Sequence, residues 1–217
     1  MIRISPSVLS CDLSDLAREV ADIRDAGADM VHLDVMDGVF VTNISFGLPV
    51  IESLRKRSDM IFDVHLMIIE PEKYVSRFID AGADIITFHL EACKEPVQLL
   101  EEIRSQGVMA SISVKPGTPI EEVYPYLESL DMVLVMTVEP GYGGQALIPE
   151  TLEKVRKLKA EMQNRGLNVE IQVDGGINPE TAVKAIDAGA TILVAGSSVF
   201  KSDNRKEAID ALRGADK

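Results

Sequence analysis

Three near-identical pentapeptides constrain what this chain can fold into: Asp25-Ala-Gly-Ala-Asp29, Asp80-Ala-Gly-Ala-Asp84 and Asp187-Ala-Gly-Ala-Thr191. Each follows a helical pattern and precedes an apolar run: Met30 to Val35, Ile85 to Phe88, Ile192 to Ala195. A glycine in that place ends a helix in the left-handed conformation, and small neighbours let a strand begin at once. The pentapeptides begin at residues 25, 80 and 187, steps of 55 and 107. Those steps are two and four units of about 27 residues, the size of one strand-helix unit. A chain of 217 residues holds about eight such units.

The remaining pattern agrees. Apolar runs predict strands near 2–8, 30–35, 61–67, 84–89, 108–114, 132–138, 169–174 and 191–196. Helical patterns fill the gaps at 12–25, 47–57, 71–81, 94–106, 119–128, 150–165, 178–188 and 204–213. With no linker or break in composition, the expectation is an α/β chain forming one closed (β/α)8 TIM barrel, a single domain over residues 1–217. The competing topology is an open doubly wound sheet. It needs a Gly-x-Gly-x-x-Gly turn after its first strand, where this chain has Ser5-Pro-Ser-Val-Leu-Ser10.

In such a barrel, chemistry sits at the C-terminal ends of the strands. Four metal-capable side chains fall there: His32 and Asp34 in Met30-Val-His-Leu-Asp-Val-Met36, His65 in Asp63-Val-His-Leu-Met67, and Asp174 in Val169-Glu-Ile-Gln-Val-Asp174. Side chains change face at every residue of a strand, so each run has an apolar face and a reactive one. A lone strand-end Asp is more often a cap or turn residue, and a lone His more often a satisfied core residue. Four in matching register at one barrel end predict a divalent metal site, suited to Zn²⁺, Fe²⁺, Mn²⁺ or Co²⁺. A metal polarises a carbonyl and acidifies the neighbouring C–H. Two carboxylates, Asp34 and Asp174, can then move a proton off one face and onto the other. Met36, Met67 and Met136 lie close by, either shielding a flat enediolate-like intermediate from water or filling the barrel top. His89, in Thr87-Phe-His-Leu-Glu91, is expected to support the site from outside.

Glycines cluster after the last three strands: Pro140-Gly-Tyr-Gly-Gly-Gln145, Asp174-Gly-Gly-Ile177 and Ala195-Gly-Ser-Ser198. Loops after strands seven and eight of barrel enzymes often hold phosphate, and glycine lets backbone N–H groups approach its oxygens. The pattern points to a sugar phosphate or similar ester and leaves the reaction open.

Composition limits the partners. The net charge is −13 and the pI about 4.7, against nucleic acid or an anionic membrane as partner. A small phosphorylated substrate remains compatible, because local backbone amides bind phosphate against a global field. Cys11 and Cys93 make no disulfide framework and no zinc spacing, which fits a reducing cytoplasm. The N-terminus shows no signal-peptide pattern, and no apolar run reaches membrane-spanning length.

Taken together, His32-Leu-Asp-Val-Met-Asp-Gly-Val-Phe-Val-Thr-Asn43, Asp63-Val-His-Leu-Met-Ile68, Met136-Thr-Val-Glu-Pro-Gly-Tyr-Gly-Gly-Gln145 and Val173-Asp-Gly-Gly176 resemble the ribulose-phosphate 3-epimerase family. Ile4-Ser-Pro-Ser-Val-Leu-Ser10 and Lys115-Pro-Gly-Thr-Pro119 fit as well, so the likeness runs from about residue 2 to 200. The resemblance implies a barrel of the ribulose-phosphate-binding type and a metal-dependent isomerase of carbohydrate metabolism. That enzyme interconverts D-ribulose 5-phosphate and D-xylulose 5-phosphate by proton transfer at C3 through a metal-stabilised enediolate, in the pentose phosphate pathway. It implies His32, Asp34, His65 and Asp174 as ligands, with Asp34 accepting and Asp174 donating the proton in one direction. Substrate contacts are implied for Ser7, His65, Gly141, Tyr142, Gly143, Gly144, Asp174, Gly175, Gly176, Gly196 and Ser197. Family members are commonly dimers or hexamers, so a homo-oligomer is expected. The chain departs from the family at Thr42, where proline is usual, and at Tyr142 and Leu147, where phenylalanine is usual; these bear on loop closure and substrate range. An epimerase of a ketohexose 6-phosphate such as allulose 6-phosphate is the nearest alternative. A phosphate-binding barrel with other chemistry, such as a hexulose-phosphate synthase or a decarboxylase, and a non-catalytic phosphate-binding barrel are more distant ones.

Overall fold

The computed structural model describes residues 2–214. Its strands are β1 (Arg3–Pro6), β2 (Met30–Met36), β3 (Ile61–Met67), β4 (Ile85–His89), β5 (Met109–Val114), β6 (Met132–Met136), β7 (Glu170–Asp174) and β8 (Ile192–Ala195). Between them run α1 (Leu16–Asp25), α2 (Leu48–Arg55), α3 (Val75–Asp80), α4 (Pro96–Ser105), α5 (Thr151–Arg165), α6 (Pro179–Ala188), α7 (Ser197–Phe200) and, last, α8 (Arg205–Gly214). All seven ladders are parallel, in the order β1-β8-β7-β6-β5-β4-β3-β2. The ring closes where Ser7 bridges His32, bringing the ends of β1 and β2 together. An open doubly wound sheet has no such return, so the expected (β/α)8 barrel is what forms. No helix among the described residues is long and apolar enough to cross a membrane.

Two stretches differ from the sequence pattern. The helical pattern at 119–128 forms 3-10 turns over Ile120–Ser129, with Pro125 inside. Proline lacks the N–H an α-ladder needs and its ring crowds the preceding turn, so the tighter winding prevails. The four-residue α7 was not expected, because one helical turn is too short to display a period.

The pentapeptides have a mechanical role beyond counting strands. Their glycines take positive φ, 93° at Gly27, 103° at Gly82 and 119° at Gly189, as helix ends require. Their last residues then fasten the preceding odd-numbered strand. Asp29 Oδ2 accepts from Ile4 N (2.8 Å), Asp84 Oδ2 from Phe62 N (2.7 Å) and Thr191 Oγ1 from Ile171 N (3.0 Å). The backbone N–H of each donates to the carbonyl of the same partner, at 3.0, 3.0 and 2.8 Å. Asp131 does this for Ala110 without a pentapeptide around it. Four polar side chains thus terminate four strand ends with no neighbouring peptide to spare.

Outward-facing strand residues such as Leu33, Phe62, Val64 and Phe88 pack against the helices in the main apolar core. Inward-facing Met30, Ile85, Met132 and Ile192 plug the barrel bottom, with Met109 against them. Above that plug the interior turns polar, which is where the site begins. Asp84→Ala is expected to destabilise the barrel by about 1–3 kcal/mol in urea unfolding, because it orphans the Phe62 N–H and removes one of the acceptors of the Arg55 guanidinium, 3.0 Å away. Asp84→Asn keeps an acceptor and should cost less; equal stability of all three proteins would show that the clamp is idle.

Candidate metal and acid-base site

The polar interior is organised by Asp63, which is fully buried on β3. Its Oδ2 accepts from Ser5 Oγ (2.9 Å) on β1, from Gln172 Nε2 (2.6 Å) on β7, and pairs with His32 Nδ1 (2.8 Å) on β2. An ionised Asp can only accept, so the His32 proton sits on Nδ1 and Nε2 faces up the barrel. There Nε2 has no hydrogen-bond partner in the fold.

Around that nitrogen the expected set converges. Asp34 Oδ1 lies 3.4 Å from His32 Nε2 and 3.2 Å from His65 Nδ1. Asp174 Oδ2 lies 3.8 Å from His32 Nε2 and 3.9 Å from His65 Nδ1. All four donor atoms lie within 4.8 Å of one another. Metal-to-ligand bonds of about 2.0–2.2 Å place neighbouring donors roughly 3–4 Å apart, so the spacing suits one divalent ion. The orphaned His32 nitrogen aimed at the two carboxylates makes the same case from hydrogen bonding. These residues fit a metal.

Charge in the cluster is strongly partitioned. Burial opposes a positive His32, yet the Asp63 and Asp34 carboxylates outweigh it and push its pKa well above the imidazole range. Burial likewise opposes a negative Asp34, but His32 and His65 hold it well below the carboxylate range. Ser7 Oγ also donates to Asp34 Oδ2 at 2.5 Å. Asp174 goes the other way: burial, then repulsion from Asp34, push its carboxyl up to about 7. One fold therefore holds one carboxylate firmly ionised and its neighbour near neutrality.

Behind His65 the chain continues. His65 Nε2 lies 2.9 Å from His89 Nε2, and His89 Nδ1 lies 3.3 Å from Glu91 Oε2. Both rings are fully buried, and burial lowers the pKa of each, that of His89 to about 4. Phe40 lies against His89 at 4.6 Å between centroids, and Lys115 Nζ stands 3.7 Å from the Phe40 ring centre. Met36 and Met67 pack with Val41, Phe40 and Leu9, while Met136 packs with Leu134 and Val138.

A cavity of about 710 Å³ opens over the cluster. Ser7, Asp34, Met136, Tyr142, Gly143, Gly144, Asp174, Gly175, Gly176, Gly196 and Ser197 all line it, so the expected contact residues share one space. Two do not line it. His65 lies buried beneath, and the carbonyl of Gly141 accepts from Asn43 Nδ2 at 3.0 Å, tying the loop after β6 to the loop after β2. Gly175 and Gly176 carry φ of 124° and 67°, and a Cβ on Gly176 would stand 2.3 Å from Leu147 N. Only glycine permits that approach. Of the departures, Thr42 and Tyr142 are exposed and Leu147 is half-buried against Gly176.

The sequence profile of the ribulose-phosphate 3 epimerase family matches residues 3–200. The chain is 44% identical over 216 residues to a ribulose-phosphate 3-epimerase of Bacillus subtilis, covering 99% of this chain and 100% of that one. It is 45% identical over 215 residues to the cytoplasmic isoform of ribulose-phosphate 3-epimerase from Oryza sativa, covering 97% and 92%. The chain belongs to the ribulose-phosphate 3-epimerase family. It is accordingly an enzyme of the epimerase class. Solved barrels share the fold alone: a 3-hexulose-6-phosphate synthase at 17% identity and TM-score 0.71 (99% of each chain), and KGPDC from Streptococcus mutans at 14% and 0.75 (99% and 96%).

For this epimerase-family chain, sequence reasoning singled out the four converging donors but missed Ser5, Asp63, Gln172 and Glu91. Parity held the missing signal: Ser5, Asp63 and Gln172 stand two positions before Ser7, His65 and Asp174 and so face the same interior. Asp63→Ala strips His32 Nδ1 of its acceptor and is expected to weaken Zn²⁺ binding about 10–100-fold in chelator competition. Unchanged affinity would show that His32 needs no orienting partner.

Proposed function

We propose that this chain interconverts D-ribulose 5-phosphate and D-xylulose 5-phosphate by moving a proton at C3. The observation that carries the reading is the convergence of Asp34, on β2, and Asp174, on β7, beside the same two imidazoles at the floor of a glycine-walled cavity, with Ser7 donating to Asp34. Near neutral pH that pair offers a base and an acid together, as epimerisation needs. Asp34 takes the C3 proton, and the C–H electron pair becomes the C2=C3 bond while the carbonyl electrons move onto oxygen. Asp174 gives its proton to C3 from the opposite face, which restores the carbonyl with inverted configuration. The reverse reaction exchanges the two roles.

His32, Asp34, His65 and Asp174 would hold one Zn²⁺, Fe²⁺, Mn²⁺ or Co²⁺ per subunit. Such an ion supplies Lewis-acid polarisation of the C2 oxygen, and its charge offsets part of the repulsion between the two carboxylates. Ser7 keeps Asp34 aimed through its 2.5 Å hydrogen bond. Gly175, Gly176, Gly196 and Ser197 present backbone to the phosphate at the other end of the cavity, where Lys184 and Lys201 add positive charge. Tyr142, Gly143 and Gly144, in the loop after β6, cover the sugar, and Met136, on the cavity wall, keeps the reacting carbons dry, while Met36 and Met67 pack with Val41, Phe40 and Leu9. A homo-oligomer, dimer or hexamer, is part of the proposal, in keeping with the exposed apolar Val39, Ile44, Ile69 and Tyr74. So is a cytoplasmic setting.

The test is turnover of D-ribulose 5-phosphate after chelation and re-addition of each metal, with D-allulose 6-phosphate as competing substrate. Activity is expected to need metal and to prefer the pentulose. Asp34→Asn and Asp174→Asn should each lower kcat by about 10²–10⁴-fold, the usual worth of a positioned acid or base. In D₂O, wild-type product should carry deuterium at C3. Full metal-free activity would overturn the ligand set, and preference for the hexulose would reassign the substrate.

A further inference from the structure

His65 can bind metal through Nδ1 only while that nitrogen carries no proton. Two neighbours compete over where its proton sits. Asp34 Oδ1, 3.2 Å from Nδ1, attracts the proton to the ligand nitrogen itself. His89 Nε2, 2.9 Å from His65 Nε2, holds the opposite side. Two ring nitrogens at that distance need one donor and one acceptor between them. A bare His65 Nδ1 therefore requires a proton on His65 Nε2, a bare His89 Nε2, and a proton on His89 Nδ1. That last atom faces Glu91 Oε2 at 3.3 Å.

Glu91 is itself held rigidly. Its Oε1 accepts from Lys115 N (2.8 Å) and Thr118 Oγ1 (2.5 Å). The loop that carries those donors is pinned by Lys154 Nζ, which reaches the carbonyls of Lys115 (2.8 Å) and Thr118 (2.5 Å). With Oε1 occupied, Oε2 is left facing His89, and a carboxylate oxygen there accepts only. We propose that Glu91, acting through His89, is a positioning residue that fixes His65 in the tautomer able to ligate the metal, against the pull of Asp34. This inference rests on the proposed ligation by His65. It gives His65 an orienting carboxylate two rings away, whereas His32 has Asp63 in direct contact.

Glu91→Gln tests it with almost no change in shape. Lys115 N and Thr118 Oγ1 still demand an acceptor, so the amide oxygen stays with them and the amide nitrogen turns to His89. It donates to His89 Nδ1, which moves the His89 proton to Nε2 and the His65 proton to Nδ1. The chain holds three histidines, His32, His65 and His89, so long-range ¹H–¹⁵N spectra of their rings can be assigned individually. In metal-free wild type, a population with His65 Nδ1 and His89 Nε2 free of protons is expected beside the one in which His65 Nδ1 donates to Asp34. In Glu91→Gln that ligating population should be lost, and Zn²⁺ affinity by chelator competition should fall about 10–100-fold. Glu91→Asp, which keeps an acceptor-only group on a shorter stem, should recover part of that affinity. A wild-type His65 protonated on Nδ1 throughout, or a Glu91→Gln protein with wild-type tautomers and Zn²⁺ affinity, overturns the inference while leaving the metal site intact. Absence of Zn²⁺ binding in wild type overturns both, and is told apart because it leaves no affinity for Glu91 to modulate.

Discussion

A fully buried carboxylate at the centre of the barrel is the constraint on which the rest of the site depends. Asp63 has no solvent, and an unpaired charge in that setting costs several kcal/mol. Three strands meet that demand with Ser5, Gln172 and His32. A buried ion pair is a poor source of stability, since an apolar core of the same volume commonly does as well. Its effect here is directional. Pairing with Asp63 consumes His32 Nδ1 and leaves Nε2 as the one free corner of the ring, aimed at Asp34 and Asp174. The polar centre thus gives up packing to orient a donor.

That exchange explains how the interior changes with height. Near the N-terminal ends of the strands, Met30, Ile85, Met132 and Ile192 seal the barrel with apolar bulk. The Asp29, Asp84, Asp131 and Thr191 clamps hold the same end of the strands through polar contacts on the rim. With that end fixed by packing and hydrogen bonds together, the opposite end can carry charge, strained glycines and an open cavity. Stability and chemistry occupy opposite ends of the same strands.

The fold was legible in the sequence because both of its signals are local. Helix-ending glycines before apolar runs counted the units, and period-two alternation named the inward residues. The quartet His32, Asp34, His65 and Asp174 followed from parity plus side-chain chemistry. What escaped was set by contacts across the barrel. Asp63 was visible within its own run, but its three partners come from β1, β2 and β7, and no periodicity records which inward residues meet. Glu91 lies two residues beyond His89, yet its hold depends on Lys115 and Thr118, more than twenty residues away in the chain. The 3-10 winding at Ile120–Ser129 shows the same limit: the apolar pattern survives a change of helix type, while Pro125 decides the hydrogen bonding.

Asp34 and Asp174 are identical groups within reach of the same two imidazoles, and their difference is environmental. Asp34 receives Ser7 Oγ and lies nearer to both rings, so its negative charge is met from three sides. Asp174 stands farther from each ring and bears the repulsion of Asp34. Burial raises the proton affinity of both carboxyls; at Asp34 the charge and hydrogen bonding of His32 outweigh it, whereas at Asp174 the repulsion of Asp34 adds to it. Barrel geometry therefore does more than gather the four side chains: it gives two like carboxyls unlike surroundings.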